Sequence, residues 1–79
     1  MATKIKWDGT ESQINLKNHT LQELVGGYAE LVSCGEKRML VNEDGRRLDL
    51  PMNKKASKLA GQIIVGDVVV CTSEEIHDA

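Results

Sequence analysis

The stretch YAELVSCGEKRMLVN, residues 28–42, decides the fold of this chain. It contains two strand candidates, residues 28–34 and 38–42, joined by a short connection that begins with glycine. Successive side chains of a strand point to opposite faces, so Tyr28 and Glu30 lie on the same face. A short connection favours antiparallel pairing of the two strands. We therefore predict a β-hairpin at the centre of the sequence.

The segment before this hairpin predicts a second hairpin and a short helix. Apolar and polar residues alternate around Ile5 and Ile14, which indicates two N-terminal strands. Thr20-Leu21-Gln22-Glu23 is a capping box, the sequence signature of a helix N-terminus. Gly26-Gly27 then ends that helix after a short distance.

The segment after the hairpin predicts a further helix and a central strand. Asn53 is a suitable N-cap and Gly61 a suitable C-cap for a helix between them. Residues 63–72 form an apolar run rich in β-branched side chains, interrupted by Gly66-Asp67. This pattern favours a central strand with a kink or bulge. A short additional strand is predicted over residues 47–50, ahead of the proline.

These elements together predict one α+β domain over residues 1–79. We expect a small antiparallel sheet or partly open barrel of about five or six strands, with two short helices. The acidic residues 73–79 are expected to be a frayed tail. A single core of this size leaves little net stability, so a homo-oligomer is also expected.

The composition argues against two classes of partner. The net charge is −2, with 12 acidic and 10 basic residues, whereas binding duplex nucleic acid requires a basic face. No apolar run approaches the length of a membrane span, and we expect no secretory leader. Cys34 and Cys71 are not in a CxxC arrangement, so we expect reduced thiols in a cytoplasmic protein.

The residues do not predict an enzyme, a metal site or a bound cofactor. Catalysis needs a nucleophile with its base, a placed carboxylate pair or a metal cluster. His19 and His77 are the only histidines, and neither has a metal-ligand spacing with a cysteine. The sequence also lacks a P-loop. We therefore expect a binding or interaction protein.

The best candidate for an anion site is the start of the second helix, at Asn53, Lys54 and Lys55. The helix dipole disfavours cations at this end, whereas a bound phosphate would make the same lysines favourable. Arg47 is a further cation close by in sequence. Solvated lysines on a surface turn are the alternative interpretation.

A nucleotide also needs a stacking surface and groups that contact its base. Tyr28 directly follows two glycines, so its ring could cover a base, or it could fill the core. Glu30 shares the face of Tyr28 and would need a partner such as a base N–H. Asn42 ends a strand, where it could contact a base edge or bond the following turn.

Four ordered motifs resemble a small domain family of unknown function found in phages and bacteria. The motifs are VGGYxE, LVNEDG, LPxNxxA and IVGDV, beginning at Val25, Leu40, Leu50 and Ile64. The resemblance covers about Leu21 to Thr72. The matched positions are Gly26, Gly27, Tyr28, Glu30, Asn42, Gly45, Pro51 and Asn53. Lys54, Lys55 and Arg47 rest on the electrostatic argument and not on the family pattern.

The resemblance implies a function. A stand-alone phage member of this size is similar to viral sponge proteins of the anti-CBASS type, which sequester immune signalling nucleotides in the infected bacterial cytoplasm. Such sponges bind a cyclic dinucleotide, for example cyclic GMP-AMP, or an ADP-ribose derivative without cleaving it. They are usually homo-oligomers with ligand pockets between subunits. The alternative is a small host-takeover or regulatory protein that acts through an exposed strand edge or an aliphatic patch.

Overall fold

Residues 28–42 form the predicted hairpin, which is part of a single antiparallel sheet. The computed structural model describes residues 1–78, with side chains as far as Ile76. The strands are β1 (Ala2–Ile5), β2 (Glu11–Ile14), β3 (Ala29–Cys34), β4 (Lys37–Asn42) and β5 (Val68–Cys71). Their order across the sheet is β2-β1-β5-β4-β3, so β2 and β3 are its two edges. The α+β prediction is confirmed, and its sheet is open instead of closed into a barrel.

Short helices connect the strands. They are α1 (Leu21–Val25), α2 (Lys54–Ala60), α3 (Ser73–Asp78) and a 3-10 helix (Leu16–Asn18). The predicted capping box of α1 is present, because the Thr20 hydroxyl accepts from the Glu23 amide and the Glu23 carboxylate accepts from the Thr20 amide. Asn53 and Gly61 cap α2, as predicted. None of the helices in the described part of the chain is both long and apolar enough to span a bilayer.

The helices and the loop after α2 cover both faces of the sheet. One face carries the first core cluster, formed by Ala2, Leu16, Leu24, Val25, Leu40, Val69 and Cys71. The opposite face carries the second core cluster, formed by Ile5, Met39, Val41, Ala56, Ile64 and Val68. Val68 and Val69 alternate between the two clusters, which explains why the β5 run is apolar throughout. β5 is therefore the central strand that the sequence predicts.

The strand predicted over residues 47–50 is wrong, and the predicted central strand over residues 63–72 is a strand only from Val68 to Cys71. Residues 47–49 lie in a turn that the Leu50 amide closes on the Gly45 carbonyl at 3.0 Å. Val65 makes only an isolated bridge to Met52, because residues 63–65 pair with the entry to α2 instead of the sheet. Apolar and β-branched residues suit this partly buried loop as well as they suit a strand, so the pattern alone could not separate the two.

Gly66 sets where this loop ends and β5 begins. Its φ of 78° lies in the left-handed region, so the kink predicted at this position is present. A Cβ added at Gly66 would lie 2.8 Å from Cδ1 of Leu50. A side chain at residue 66 would therefore require Leu50 to shift, in addition to the strain of the positive φ.

Residues 73–78, most of the segment expected to be a frayed tail, form helix α3. The Thr72 hydroxyl accepts from the Glu75 amide at 3.2 Å, and the Glu75 carboxylate accepts from the Thr72 amide at 3.0 Å. The hydrogen bond from Thr72 is the largest cause of a lowered pKa at Glu75. Ile76 packs against the first core cluster. Capping and this apolar contact order the helix, and residue 79 lies outside the described residues.

The connection between the two strands of the N-terminal hairpin contains Trp7. β1 ends at Ile5, and Trp7 lies in the connecting turn, where its amide donates to the Asp67 carboxylate at 3.0 Å. The Trp7 side chain is exposed. Trp7 is therefore not a core residue of the single chain.

Candidate functional site

Asn53 lies at the centre of the molecule's internal hydrogen bonding. Its side chain is 0 % exposed. Its Nδ2 donates to the carbonyls of Ile5 and Gly66, both at 3.0 Å, and its Oδ1 accepts from the Ala56 amide at 3.0 Å. The side chain thus joins β1, the start of α2 and the loop before β5. A ligand could engage this amide only by breaking those bonds, so we assign Asn53 a structural role.

Asn42 is engaged in the same way at the end of β4. Its Nδ2 donates to the Val25 carbonyl at 3.0 Å, and its Oδ1 accepts from the Asp44 amide at 2.8 Å. A Cβ added at Gly27 would approach that amide nitrogen to 3.0 Å. The Asn42 side chain therefore bonds the end of α1 and the following turn, the second of the two roles that its position suggests.

The predicted cations do not converge on the start of α2. Lys55 Nζ lies 2.8 Å from a Glu11 carboxylate oxygen and donates to the Gly9 carbonyl at 2.8 Å. Arg47 pairs with Asp44 at 3.1 Å. Lys54 is exposed and makes no hydrogen bond or ion pair with any described residue. The cap amide is turned inward and Lys55 is paired, so the structure does not assemble the predicted anion site.

A larger candidate site lies between the β3–β4 hairpin and the loop after α2. We name it the β3–β4 groove, and its volume is about 750 Å³. Its walls are residues 30–33, residues 41–43, Arg46, Ala60 and residues 62–65. Pockets that bind small ligands occupy about 300–1,000 Å³. The groove is therefore large enough for a substantial ligand.

The groove combines a cation, two carboxylates and apolar walls. Arg46 makes no side-chain hydrogen bond or ion pair within the described part of the chain, whereas Glu30 and Glu43 provide carboxylate oxygens. Val32 and Ile63 provide apolar surface, and the Ile63 side chain is 61 % exposed. A ligand that fits this lining has an anionic group, hydrogen-bond donors and a flat or apolar part.

Three of the predicted site residues belong to this groove or lie beside it. Glu30 lines the groove, as its shared face with Tyr28 suggests. Tyr28 precedes β3, and its carbonyl accepts from the Glu43 amide at 2.8 Å, which places it next to the groove. Its side chain is 67 % exposed, so the ring is not part of the core. Asn42 also lines the groove, with its amide engaged internally as described above.

The sequence did not single out Arg46, Glu43 or Ile63 as site residues. Arg46 is close in sequence to Arg47 and Lys54, but it lines the groove with residues of β3 and of the loop after α2. Ile63 was interpreted as part of a strand, so its position across from β3 was not foreseen. Only the path of the loop after α2 brings these residues together.

A smaller hollow of about 340 Å³ lies on the other side of α2 and includes Lys55, Lys58 and Glu11. The ion pair between Lys55 and Glu11 lies in its lining.

The structure contains two free cysteines, Cys34 and Cys71. Burial, with a smaller contribution from Glu75, raises the pKa of the Cys71 thiol. Within residues 1–78, no three His, Cys, Asp or Glu side chains are grouped as metal ligands.

Comparison with known proteins identifies the family. A family model described as a domain of unknown function, DUF3846, matches residues 4–78. The match covers nearly the whole chain, and the chain belongs to this family. No curated protein and no solved structure matches it. The resemblance to a small family of unknown function is confirmed, and the family description carries no activity.

Proposed function

We propose that this DUF3846 protein binds a signalling nucleotide, such as a cyclic dinucleotide or an ADP-ribose derivative, in the β3–β4 groove and holds it without cleaving it. The observation that carries the proposal is the groove itself. Its volume of about 750 Å³ suits a ligand of that size, and its lining offers a separate contact for each part of a nucleotide.

Arg46 is the phosphate contact in this proposal. A guanidinium presents several donors in a planar fork that matches two phosphate oxygens. Arg46 lines the groove, and none of its side-chain donors is used within the described residues. It is therefore free to contact a ligand, whereas Lys55 is already paired.

Glu30 and Glu43 are the base contacts. Ionised carboxylates only accept hydrogen bonds, so they favour a base edge rich in N–H groups and oppose phosphate. Guanine, with a ring N–H beside an amino group, presents two donors to one carboxylate. The pair of carboxylates with one arginine therefore favours a guanine-containing nucleotide over a simple polyphosphate.

The base face would pack on apolar or aromatic surface. Ile63 is exposed in the groove wall, and Tyr28, whose side chain is exposed, is joined to Glu43 by a backbone hydrogen bond. Stacking of a base on an aromatic side chain contributes about 1–3 kcal/mol. The resemblance to viral sponge proteins suggests that the protein sequesters the nucleotide and does not convert it. The same resemblance suggests that the protein acts in the cytoplasm of an infected bacterium and forms a homo-oligomer.

Isothermal titration calorimetry with a panel of cyclic dinucleotides and ADP-ribose species tests the binding. We expect one class of nucleotide to bind and Arg46→Gln to weaken that binding at least about tenfold, the effect of losing roughly 1.4 kcal/mol. Lys54→Ala is the matched control, because it removes an exposed cation outside the groove. If the whole panel gives no heat and no thermal shift, the proposal is wrong.

Two further outcomes distinguish the parts of the proposal. Chromatography of the ligand after long incubation should return it unmodified, and any turnover would contradict simple sequestration. If Lys54→Ala combined with Lys55→Ala abolishes binding while Arg46→Gln does not, the site is at the start of α2 and not in the groove. Protection of phage growth in cells with a nucleotide-based defence would support the sponge role.

A further inference from the structure

The outer edge of β3 has few of the features that usually prevent edge strands from pairing, and Glu30 is the one charged residue of this strand. β3 is six residues long and contains neither lysine, arginine nor proline. Natural sheets protect exposed edges with such residues, with bulges or with very short strands. β2, at the other edge, is shorter and mostly polar. Leu31, in the middle of β3, is 51 % exposed.

The direction of the free backbone groups along this edge can be worked out. The Glu43 amide donates to the Tyr28 carbonyl at 2.8 Å, so the backbone groups of Tyr28 point toward β4. In an antiparallel pair the groups of successive residues point alternately toward and away from the partner strand. The N–H and C=O groups of Ala29, Leu31 and Ser33 therefore point outward. Among the described residues, no backbone hydrogen bond outside the sheet ladders involves these three.

We propose that β3 pairs antiparallel with β3 of a second copy of this chain, with Leu31 on the two-fold axis. Only residues whose backbone groups point outward can exchange hydrogen bonds with the facing strand. With the axis at Leu31, the two copies of Leu31 pair with each other and Ala29 pairs with Ser33. This register uses all three outward residues of each copy, and a shift of two residues leaves at least one unpaired.

The side chains are complementary in this register. The two Leu31 side chains lie directly opposite, with their Cα atoms about 5.5 Å apart, and so cover each other's exposed surface. They are flanked by the small side chains of Ala29 and Ser33. Glu30 lies opposite Val32 and not opposite its own copy, so the pairing places no like charges directly across from each other.

A second copy fits this edge better than an unrelated strand does. The outward residues read small, leucine, small from either direction, which is the pattern that an isologous contact requires. Pairing would join two five-stranded sheets into one continuous sheet and add hydrogen bonds and apolar contact to a small domain. The inference does not depend on the proposed nucleotide, and its test is made without any.

Sedimentation or native mass spectrometry over a dilution series tests the dimer. The wild-type mass should be twice that of the chain at high concentration, and Leu31→Lys should reduce it to the monomer because it places two ammonium groups on the axis. Ser12→Lys is the matched control, with the same new charge on the exposed β2 edge. Circular dichroism spectra of each variant establish that it is folded. A wild-type monomer, or a dimer that Leu31→Lys leaves intact, would overturn the proposal.

Disulfide trapping tests the register on folded protein. In a Cys34→Ser background, a mixture of Glu30→Cys chains and Val32→Cys chains should form an intermolecular disulfide, since facing residues at this type of position lie about 4.5 Å apart. Glu30→Cys alone is the control, because its two copies would be about 8 Å apart, beyond disulfide reach. Equal trapping in both samples, or a monomer that instead binds a strand from another protein, would refute the self-pairing.

Discussion

Substitution of Asn53 by alanine should be among the most destabilising single changes in this chain. The variant loses the N-cap bond to the Ala56 amide, which contributes about 1 kcal/mol. It also loses the two bonds donated to the Ile5 and Gly66 carbonyls, at about 1 kcal/mol each. The sum is roughly 3 kcal/mol, against about 5–15 kcal/mol for the unfolding of a typical domain. A loss of that size corresponds to a decrease of about 12–24 °C in Tm.

Urea unfolding followed by circular dichroism measures this loss as a lower midpoint with an unchanged m-value. Asn53→Asp separates the contributions, because it keeps an acceptor for the Ala56 amide but cannot donate to the two carbonyls. We expect it to lose about 2 kcal/mol or more. Lys54→Ala, one residue away and exposed, should change the free energy of unfolding by less than about 0.5 kcal/mol. A loss below about 1 kcal/mol for Asn53→Ala would show that the buried amide is not the structural link described here.

Three further predictions concern other parts of the fold. Gly66→Ala should be more destabilising than Gly61→Ala by about 1 kcal/mol or more in urea unfolding. Both glycines have positive φ, but only the Cβ at residue 66 meets another side chain within 4 Å, and equal losses would contradict this reasoning. Glu75→Gln should make the free energy of unfolding less dependent on pH below pH 4.5. The pKa of Glu75 is lowered in the folded state, so its carboxylate stabilises the fold above the pKa of the unfolded chain, and this contribution disappears as the pH falls. The same pH dependence for the variant and the wild type from about pH 7 to 3 would count against this prediction. A double-mutant cycle on Lys55 and Glu11 should give a coupling free energy of about 0.2–1 kcal/mol that decreases as the salt concentration rises. A coupling that does not depend on salt would mean that the two side chains do not form an exposed ion pair.

The local elements were largely predictable because their signals are local. The capping box at Thr20 and the caps at Asn53 and Gly61 are set by backbone amides within one turn of the residue concerned. The hairpin at residues 28–42 follows from alternation and a short connection. The apolar run of β5 indicated a central strand, because only a strand covered on both faces tolerates apolar side chains throughout.

Some predictions from the sequence failed because an apolar pattern does not show which part of the folded chain a segment will pack against. Residues 63–65 lie in a loop against the entry to α2, where only Ile64 is buried, and the C-terminal helix is held by a cap and by Ile76. Both segments carry patterns that fit more than one structure. Tertiary contacts, and not local preference, selected the one observed.

At the candidate site, too, some features followed from the sequence and others only from the folded structure. The sequence by itself identified the family and pointed to Glu30 and Tyr28, because both follow from alternation along one strand. It assigned Asn53 to a ligand, since an N-cap and a phosphate contact require the same kind of side chain. Only the tertiary structure showed that this amide is buried and hydrogen-bonded at both ends, and that Arg46 and β3 line the same groove. The physical reason is that capping and strand alternation depend on neighbours in sequence, whereas burial and the convergence of charges depend on segments that meet only when the chain has folded.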